Sequence, residues 1–161
     1  MKMKKVIMLL MLVVSISAQA QQAYSELRQK AQNTVNDANA QPLVKQISQF
    51  KLDALNYMAI KMREEMPDST VSFLDKQAMA MDNFVNFYIE KLIESMQQPN
   101  AVQVKMIKMF MDVSYSNPLF NDKDKELTLA YYNRPECLTR FSLDTDWRKA
   151  AAAIAHLYNI Q

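Results

Sequence analysis

Apolar residues recur at steps of three and four along most of the chain, which is the spacing of one face of an α-helix. The clearest stripe predicts a helix over residues 42–66, because Pro42 suits a first helical turn and Pro67 would end the run. The apolar positions of this stripe are Leu43, Ile47, Phe50, Ala54, Met58, Met62 and Met66. Their spacing predicts that one face of the helix lies against a core.

A second stripe follows Pro67 and has the widest apolar face in the chain. We expect Asp68 or Ser69 to be its N-cap residue, because both side chains can accept a hydrogen bond from the first turn. The face is formed by Leu74, Ala78, Met81, Val85, Tyr88, Leu92 and Met96, with Phe73, Ala80, Phe84 and Phe87 beside it. Because a wide face needs neighbours on more than one side, this stripe predicts the central helix.

Two more helices are predicted downstream. One begins at Pro99, ends near Asn117-Pro118, and buries Val102, Met106, Met109, Phe110 and Val113. The last begins near Asp144 or Thr145 and buries Trp147, Ala151, Ile154, Leu157 and Tyr158. The Gln-, Asn- and Ala-rich stretch 21–41 is either a weak amphipathic helix or an irregular leader before the bundle.

The sequence contains no glycine in 161 residues. Glycine supplies the positive φ angles of hairpin turns and bulges, so a mostly β domain is disfavoured. Phosphate-binding loops and dinucleotide fingerprints are excluded, because their backbones approach phosphate through glycine. We therefore predict an all-α fold, a single-domain bundle of four to five helices over residues 42–161.

The first twenty residues have the composition of a secretory signal peptide. Basic residues at 2, 4 and 5 precede an apolar run over 6–16, and Ala18-Gln19-Ala20 supplies small residues for cleavage after Ala20. The apolar run is shorter than the roughly 20 residues that a membrane span needs, although an uncleaved anchor is an alternative. We expect an exported protein, periplasmic or secreted, with no stable membrane span after signal removal.

Removing this segment changes the charge of the chain. Three of its 19 basic residues and none of its 17 acidic residues precede residue 21, so the rest has a formal net charge of −1. A chain without a net positive field has no general attraction to nucleic acid, and we expect no nucleic-acid partner.

Residues 121–135 predict a polar helix start, one short helix and a proline stop. Asp122 or Asp124 is the expected cap, and Glu126 lies in the first turn, where the helix dipole favours negative charge. The residues expected to face inward are Leu127, Ala130 and Tyr131.

This stretch resembles a motif of a helical domain of unknown function that occurs in many exported bacterial proteins. There, an acidic stretch with Glu-Leu precedes a Phe/Tyr-Tyr pair and then a proline. The matching residues here are Glu126, Leu127, Tyr131, Tyr132 and Pro135. The family usually has Ser-Pro followed by glycine, whereas residues 134–137 of this chain read Arg-Pro-Glu-Cys. The resemblance implies a helical fold and export, and it implies no activity.

Candidate reactive residues are few. Cys137 is the only cysteine, which favours a small buried hydrophobe, with an intermolecular disulfide as the alternative. His156 is the only histidine, too few for a histidine-rich metal cluster. Nine methionines follow residue 20 and include the spaced set Met58, Met62 and Met66, which indicates core filling, with a Cu(I) site as the alternative. We predict no catalytic, cofactor-binding or metal-binding residues and no cofactor.

Asp68-Ser69-Thr70 resembles an O-glycosylation acceptor of exported bacterial proteins, and it is also a good helix start. Export, near-zero charge and the missing catalytic residues favour a non-enzymatic protein. We expect it to bind a protein partner in or beyond the cell envelope, a second copy of the chain being one candidate. The alternatives are a carrier of a lipid or other apolar ligand between helices, or a periplasmic holdase-type chaperone.

Overall fold

The computed structural model describes residues 22–160, and the predicted signal peptide and its cleavage site lie outside that range. The described residues are 68% helical with no strands, so the all-α prediction is confirmed. Five helices have at least seven residues, and one is a short turn of four. Their bounds are α1 Ala23–Asn36, α2 Pro42–Glu65, α3 Val71–Ser95, α4 Asn100–Tyr115, α5 Lys125–Thr128 and α6 Trp147–Leu157. Between residues 22 and 160, every helix falls short of the length and apolarity that crossing a membrane requires.

The helix α3 is the centre of the bundle, as its wide apolar face predicts. It contacts α1, α2, α4 and α6, which are all the other long helices described. Its residues Ala78, Met81 and Val85 are fully buried. The broad face was needed because neighbours cover this helix from several sides.

The stretch 21–41, which the sequence left open, contains the helix α1. This helix packs against α2 and α3 and buries Ala31. Its first turn is held from α3, where a carboxylate oxygen of Asp75 accepts a hydrogen bond from the backbone N–H of Tyr24 at 2.8 Å. The bond satisfies one of the N–H groups that a helix start leaves without a partner.

Aromatic rings fill the space between the helices. Phe141, which follows α5 in an irregular segment, is fully buried and lies edge-on to the rings of Phe84 at 5.2 Å and Tyr88 at 5.0 Å. Phe50 and Trp147 approach the same ring at 5.6 and 6.5 Å. Edge-to-face pairs of this kind add stability beyond the burial of their area.

Some positions predicted in the core are exposed instead. Leu43 begins α2, Val102 begins α4, and Leu157 ends α6, with exposures of 61, 48 and 53%. Met96, just after α3, is 63% exposed, and Leu127 in α5 is 47% exposed. The apolar stripes continue to the ends of the helices, where neighbouring helices no longer cover the last turn. Leu127 is exposed for a different reason, because a four-residue helix such as α5 has no complete face to bury.

Two N-cap residues differ from the prediction by one or two positions. Thr70, not Asp68 or Ser69, caps α3 by accepting a hydrogen bond from the N–H of Phe73. Asp146 caps α6 in place of Asp144 or Thr145, whose side chains are engaged in the preceding loop. At α5 the cap is Asp124, one of the two residues expected.

Candidate functional site

The chain between α4 and α6, residues 116–146, is mostly irregular, and its last part is deeply buried. Every residue from Phe141 to Trp147 is buried, although four of the seven are Ser, Asp or Thr. A buried irregular segment must find partners for its polar groups inside the fold. The polar contacts of this segment therefore show which side chains are used in hydrogen bonds within the fold and which are free to contact a ligand.

One set of partners is a polar edge along α2, at steps of four residues. Asp53 accepts a hydrogen bond from the hydroxyl of Tyr131 at 2.6 Å, and the Tyr57 hydroxyl donates to Asp122 at 2.6 Å. Lys61 lies 3.3 Å from the same Asp122 carboxylate. Residues four apart lie on one helix face, so the edge attaches the irregular segment to α2 along its length.

The titration of these groups follows from their pairing. The hydrogen bond from Tyr57 holds the pKa of the Asp122 carboxyl below its ordinary value. Burial, together with the Asp122 carboxylate, raises the pKa of Tyr57, and burial with the Asp53 bond raises that of Tyr131. Near neutral pH the two phenols are protonated donors and Asp122 is an ionised acceptor. The hydroxyls of Tyr57 and Tyr131 are therefore used in hydrogen bonds that hold the fold together.

A second set holds residues 142–147 to the core. The Ser142 hydroxyl donates to Asp144 at 2.5 Å, and the Ser114 and Thr145 hydroxyls lie 2.7 Å apart. Gln77, fully buried on α3, donates to Asp146 and accepts from the backbone N–H of Trp147, both at 2.9 Å. These bonds give acceptors to backbone N–H groups at the start of α6. The role of this polar cluster is therefore structural.

A groove remains between the middle of α4, the start of α2, Tyr88 of α3 and residues 132–140. It consists of two clefts of about 300 and 370 Å³, and Ile107 and Arg140 line both. We call it the Arg140 groove. The first cleft is lined by Leu43, Gln46, Tyr88, Ile107, Pro135, Glu136, Cys137, Leu138 and Arg140. The second is lined by Val104, Ile107, Lys108, Met111, Asp112, Tyr132 and Arg140.

Arg140 is the one arginine of the chain that is not exposed. Within residues 22–160 its guanidinium forms no ion pair, and its Nε is buried without an acceptor. The bond it has is a long one, 3.4 Å from Nη2 to the carbonyl oxygen of Tyr132. Partly buried arginines are normally paired, because withdrawing a charge from water without compensation is costly. Because Nε is buried, an anion in the groove would reach the guanidinium through its terminal nitrogens.

The hydroxyl and amide side chains of the first cleft are already occupied. The Tyr88 hydroxyl donates to the carbonyl oxygen of Leu138 at 3.0 Å, and burial raises the pKa of Tyr88 to about 12 against the opposing charge of Arg140. The amide of Gln46 accepts from the N–H of Leu138 at 2.7 Å and donates to the carbonyl of Glu136. In the second cleft, Lys108 pairs with Asp112 at 2.7 Å.

Cys137 is partly buried and free of disulfides, and its position on the groove was not predicted. His156 is exposed on α6 and is not among the residues that line either cleft, so the groove does not bring the two residues together. Met58 and Met62 are buried in the core, as the filling interpretation predicts. Across residues 22–160 no group of three or more His, Cys, Asp or Glu side chains has the arrangement of a metal site.

Other clefts carry less chemistry. A cleft of about 380 Å³ between α1 and α3 includes Glu26, Lys30 and Asp82. Asp82 is already paired with Lys51 at 2.6 Å. A small apolar depression of about 170 Å³ lies against Phe87 and Ile160. Only the Arg140 groove combines a partly buried, unpaired charge with an apolar wall among the described clefts.

The fold and this groove define the protein as an all-α, single-domain bundle with an open surface cleft. Comparison of the chain with protein-family models, with curated proteins and with solved structures gave no match. The resemblance of residues 121–135 to a domain of exported proteins therefore stays a prediction.

Proposed function

We propose that this is an exported, non-enzymatic helical protein that acts by binding a protein partner in or beyond the cell envelope through the Arg140 groove. The observation that carries the proposal is the guanidinium of Arg140, partly buried with no carboxylate to pair it. The guanidinium lines both clefts, and no carboxylate of residues 22–160 lies beside it. A partner that places a carboxylate against its terminal nitrogens gains a hydrogen bond between charged groups, which contributes about 1.5–3 kcal/mol.

The rim of the groove supports a macromolecular partner. Leu43 and Val104 line the two clefts and are 61 and 53% exposed, and Ile107 lies between the clefts. Apolar side chains around a charged anchor are a common composition of protein interfaces, in which arginine is enriched. Export itself is supported by the basic, apolar and small-residue order of residues 1–20.

The experiment is site-specific photo-crosslinking in the native host. A photoreactive residue replaces Val104 in the groove, and the control replaces Val71, an equally exposed valine at the start of α3. Tyr88 of the groove lies 17 residues further along that helix, about 25 Å away at 1.5 Å per residue. The proposal expects one discrete protein adduct in the envelope fraction from position 104 and none from position 71. Equal, diffuse labelling from both positions, or no adduct at all, would contradict it.

A further inference from the structure

The Arg140 groove has an inventory of charges that restricts what it can bind. Arg140 is the cation without a partner, whereas Lys108 is neutralised by Asp112 and the exposed Glu136 adds a negative charge at the rim. The surroundings therefore favour a ligand with one negative charge. A phosphate dianion would meet the repulsion of Glu136, with Arg140 as the single unpaired cation to offset it.

The geometry of the donors points to a flat anion. A guanidinium presents its five N–H groups in one plane, which matches the two oxygens of a carboxylate. Within residues 22–160 the amide of Gln46 and the hydroxyl of Tyr88 are committed to the backbone of residues 136–138, so Arg140 supplies the spare donors. A carboxylate can accept from this plane without help from the other polar side chains of the cleft.

We infer that the groove binds the C-terminal carboxylate of a partner polypeptide whose last residue is apolar. The inference rests on the proposed function and names its recognition chemistry. The carboxylate lies against Arg140, and the last side chain packs on Ile107 in one of the two clefts. Capture of a chain terminus by a charged anchor beside an apolar pocket is an established mode of peptide recognition.

The open, mixed lining favours a polypeptide over a free fatty acid. The space between helices is filled by the rings around Phe141, and both clefts lie at the surface with polar groups in their walls. An alkyl tail gains nothing from Glu136 or Asp112, whereas the amide groups of a peptide can bond to them. Pockets for small apolar ligands bury most of the ligand's surface, whereas both clefts are open to solvent.

The test uses the purified chain from Gln21 onward and four probes: N-acetyl-Ala-Ala-Leu, the same peptide amidated at its C-terminus, hexanoate and inorganic phosphate. Binding is followed by NMR through the side-chain Nε–H signal of Arg140, assigned by its loss in Arg140→Lys. We expect the free-acid peptide to bind and to shift this signal, and amidation to weaken binding at least about tenfold, the loss expected of a charge-assisted hydrogen bond. Hexanoate should bind more weakly than the acid peptide, and phosphate more weakly still.

Variants separate the site from general effects of charge. Arg140→Gln should abolish the preference for the acid over the amide, and Arg140→Lys should retain part of it, because a lysine keeps the charge and loses the planar fork. Arg148→Gln removes an exposed arginine outside the groove and should leave the preference unchanged. The comparison of the four probes on the unaltered chain tests the inference by itself, so the test does not depend on whether a variant folds.

Equal binding of acid and amide peptides, or tighter binding of hexanoate or phosphate than of the acid peptide, would overturn the inference. No binding by any probe would also overturn it. Such a failure is distinct from failure of the proposed function, which is read from the crosslink at Val104 in the host. If position 104 gives a protein adduct but the purified chain does not prefer the acid peptide, a partner binds in the groove and its C-terminal carboxylate is not what the groove recognises.

Discussion

Replacing Tyr57 by phenylalanine removes one hydroxyl that ties α2 to the irregular segment. That hydroxyl donates to Asp122 at 2.6 Å, and Asp122 is 8% exposed. Its carboxylate keeps two partners in the variant, the backbone N–H of Asp124 at 3.0 Å and Lys61 at 3.3 Å. The substitution therefore leaves the Asp122 carboxylate with two partners but removes its shortest hydrogen bond.

The magnitude follows from the charge on the acceptor. Hydrogen bonds to charged groups contribute about 1.5–3 kcal/mol, and the two remaining partners moderate the loss, so we expect Tyr57→Phe to lower the free energy of unfolding by about 2 kcal/mol. For a domain of this size that is a fall in Tm of roughly 6–10 °C. Tyr115→Phe is the matched control, because Tyr115 is 54% exposed, and it should cost less than about 0.5 kcal/mol.

The loss should depend on pH. The folded pKa of Asp122 lies below its ordinary value of 3.8, so its contribution is present above that value and is lost as pH falls through the folded pKa. The folded pKa of Tyr57 lies above its ordinary value of 10.0, so its contribution is complete below pH 10 and is lost above it. Urea unfolding at pH 7 and at a series of lower pH values measures the difference between Tyr57→Phe and the parent chain. A difference below about 0.5 kcal/mol at pH 7, or one that grows as the pH falls below 3.8, would refute this reasoning.

Three further changes test other parts of the fold. Phe141→Ala should lower the free energy of unfolding by about 3–5 kcal/mol in urea, as for other buried rings, and a loss under 1 kcal/mol would place the ring outside the core. Gln77→Leu should cost about 1–3 kcal/mol, because it leaves the buried N–H of Trp147 without an acceptor and removes one donor from the carboxylate of Asp146, and hydrogen exchange should accelerate at the start of α6. Cys137 should react with iodoacetamide more slowly in the folded chain than in urea; equal rates would contradict its partial burial.

The helices were predictable because their signal is local. The stripe of α2 and the wide face of α3 are readable from residues three and four positions apart, and the prolines at 42 and 67 bound them. The end turns were misjudged at Leu43 and Leu157, because periodicity does not tell where the covering neighbours stop. Cap residues were misplaced by a position or two where several Asp, Ser and Thr stand in a row.

The irregular segment was not predictable, because its burial depends on contacts distant in sequence. Phe141 has no periodic neighbours, and its environment is built by rings from α2, α3 and α6. The groove was missed for the same reason. Glu136 and Asp144 stand four residues either side of Arg140, a spacing that would pair them in a helix. The loop is not helical, and Asp144 pairs with Lys125 at 3.1 Å instead.

The most direct test is native mass spectrometry of the protein recovered from the envelope fraction of its own host, in the parent chain and in Arg140→Gln. We expect a mass that begins at Gln21 with a protein partner attached, the partner being lost in Arg140→Gln and kept in Arg148→Gln. A chain that still carries residues 1–20 would contradict cleavage after Ala20. A parent chain without a partner, or a partner retained equally by both variants, would contradict binding through the Arg140 groove.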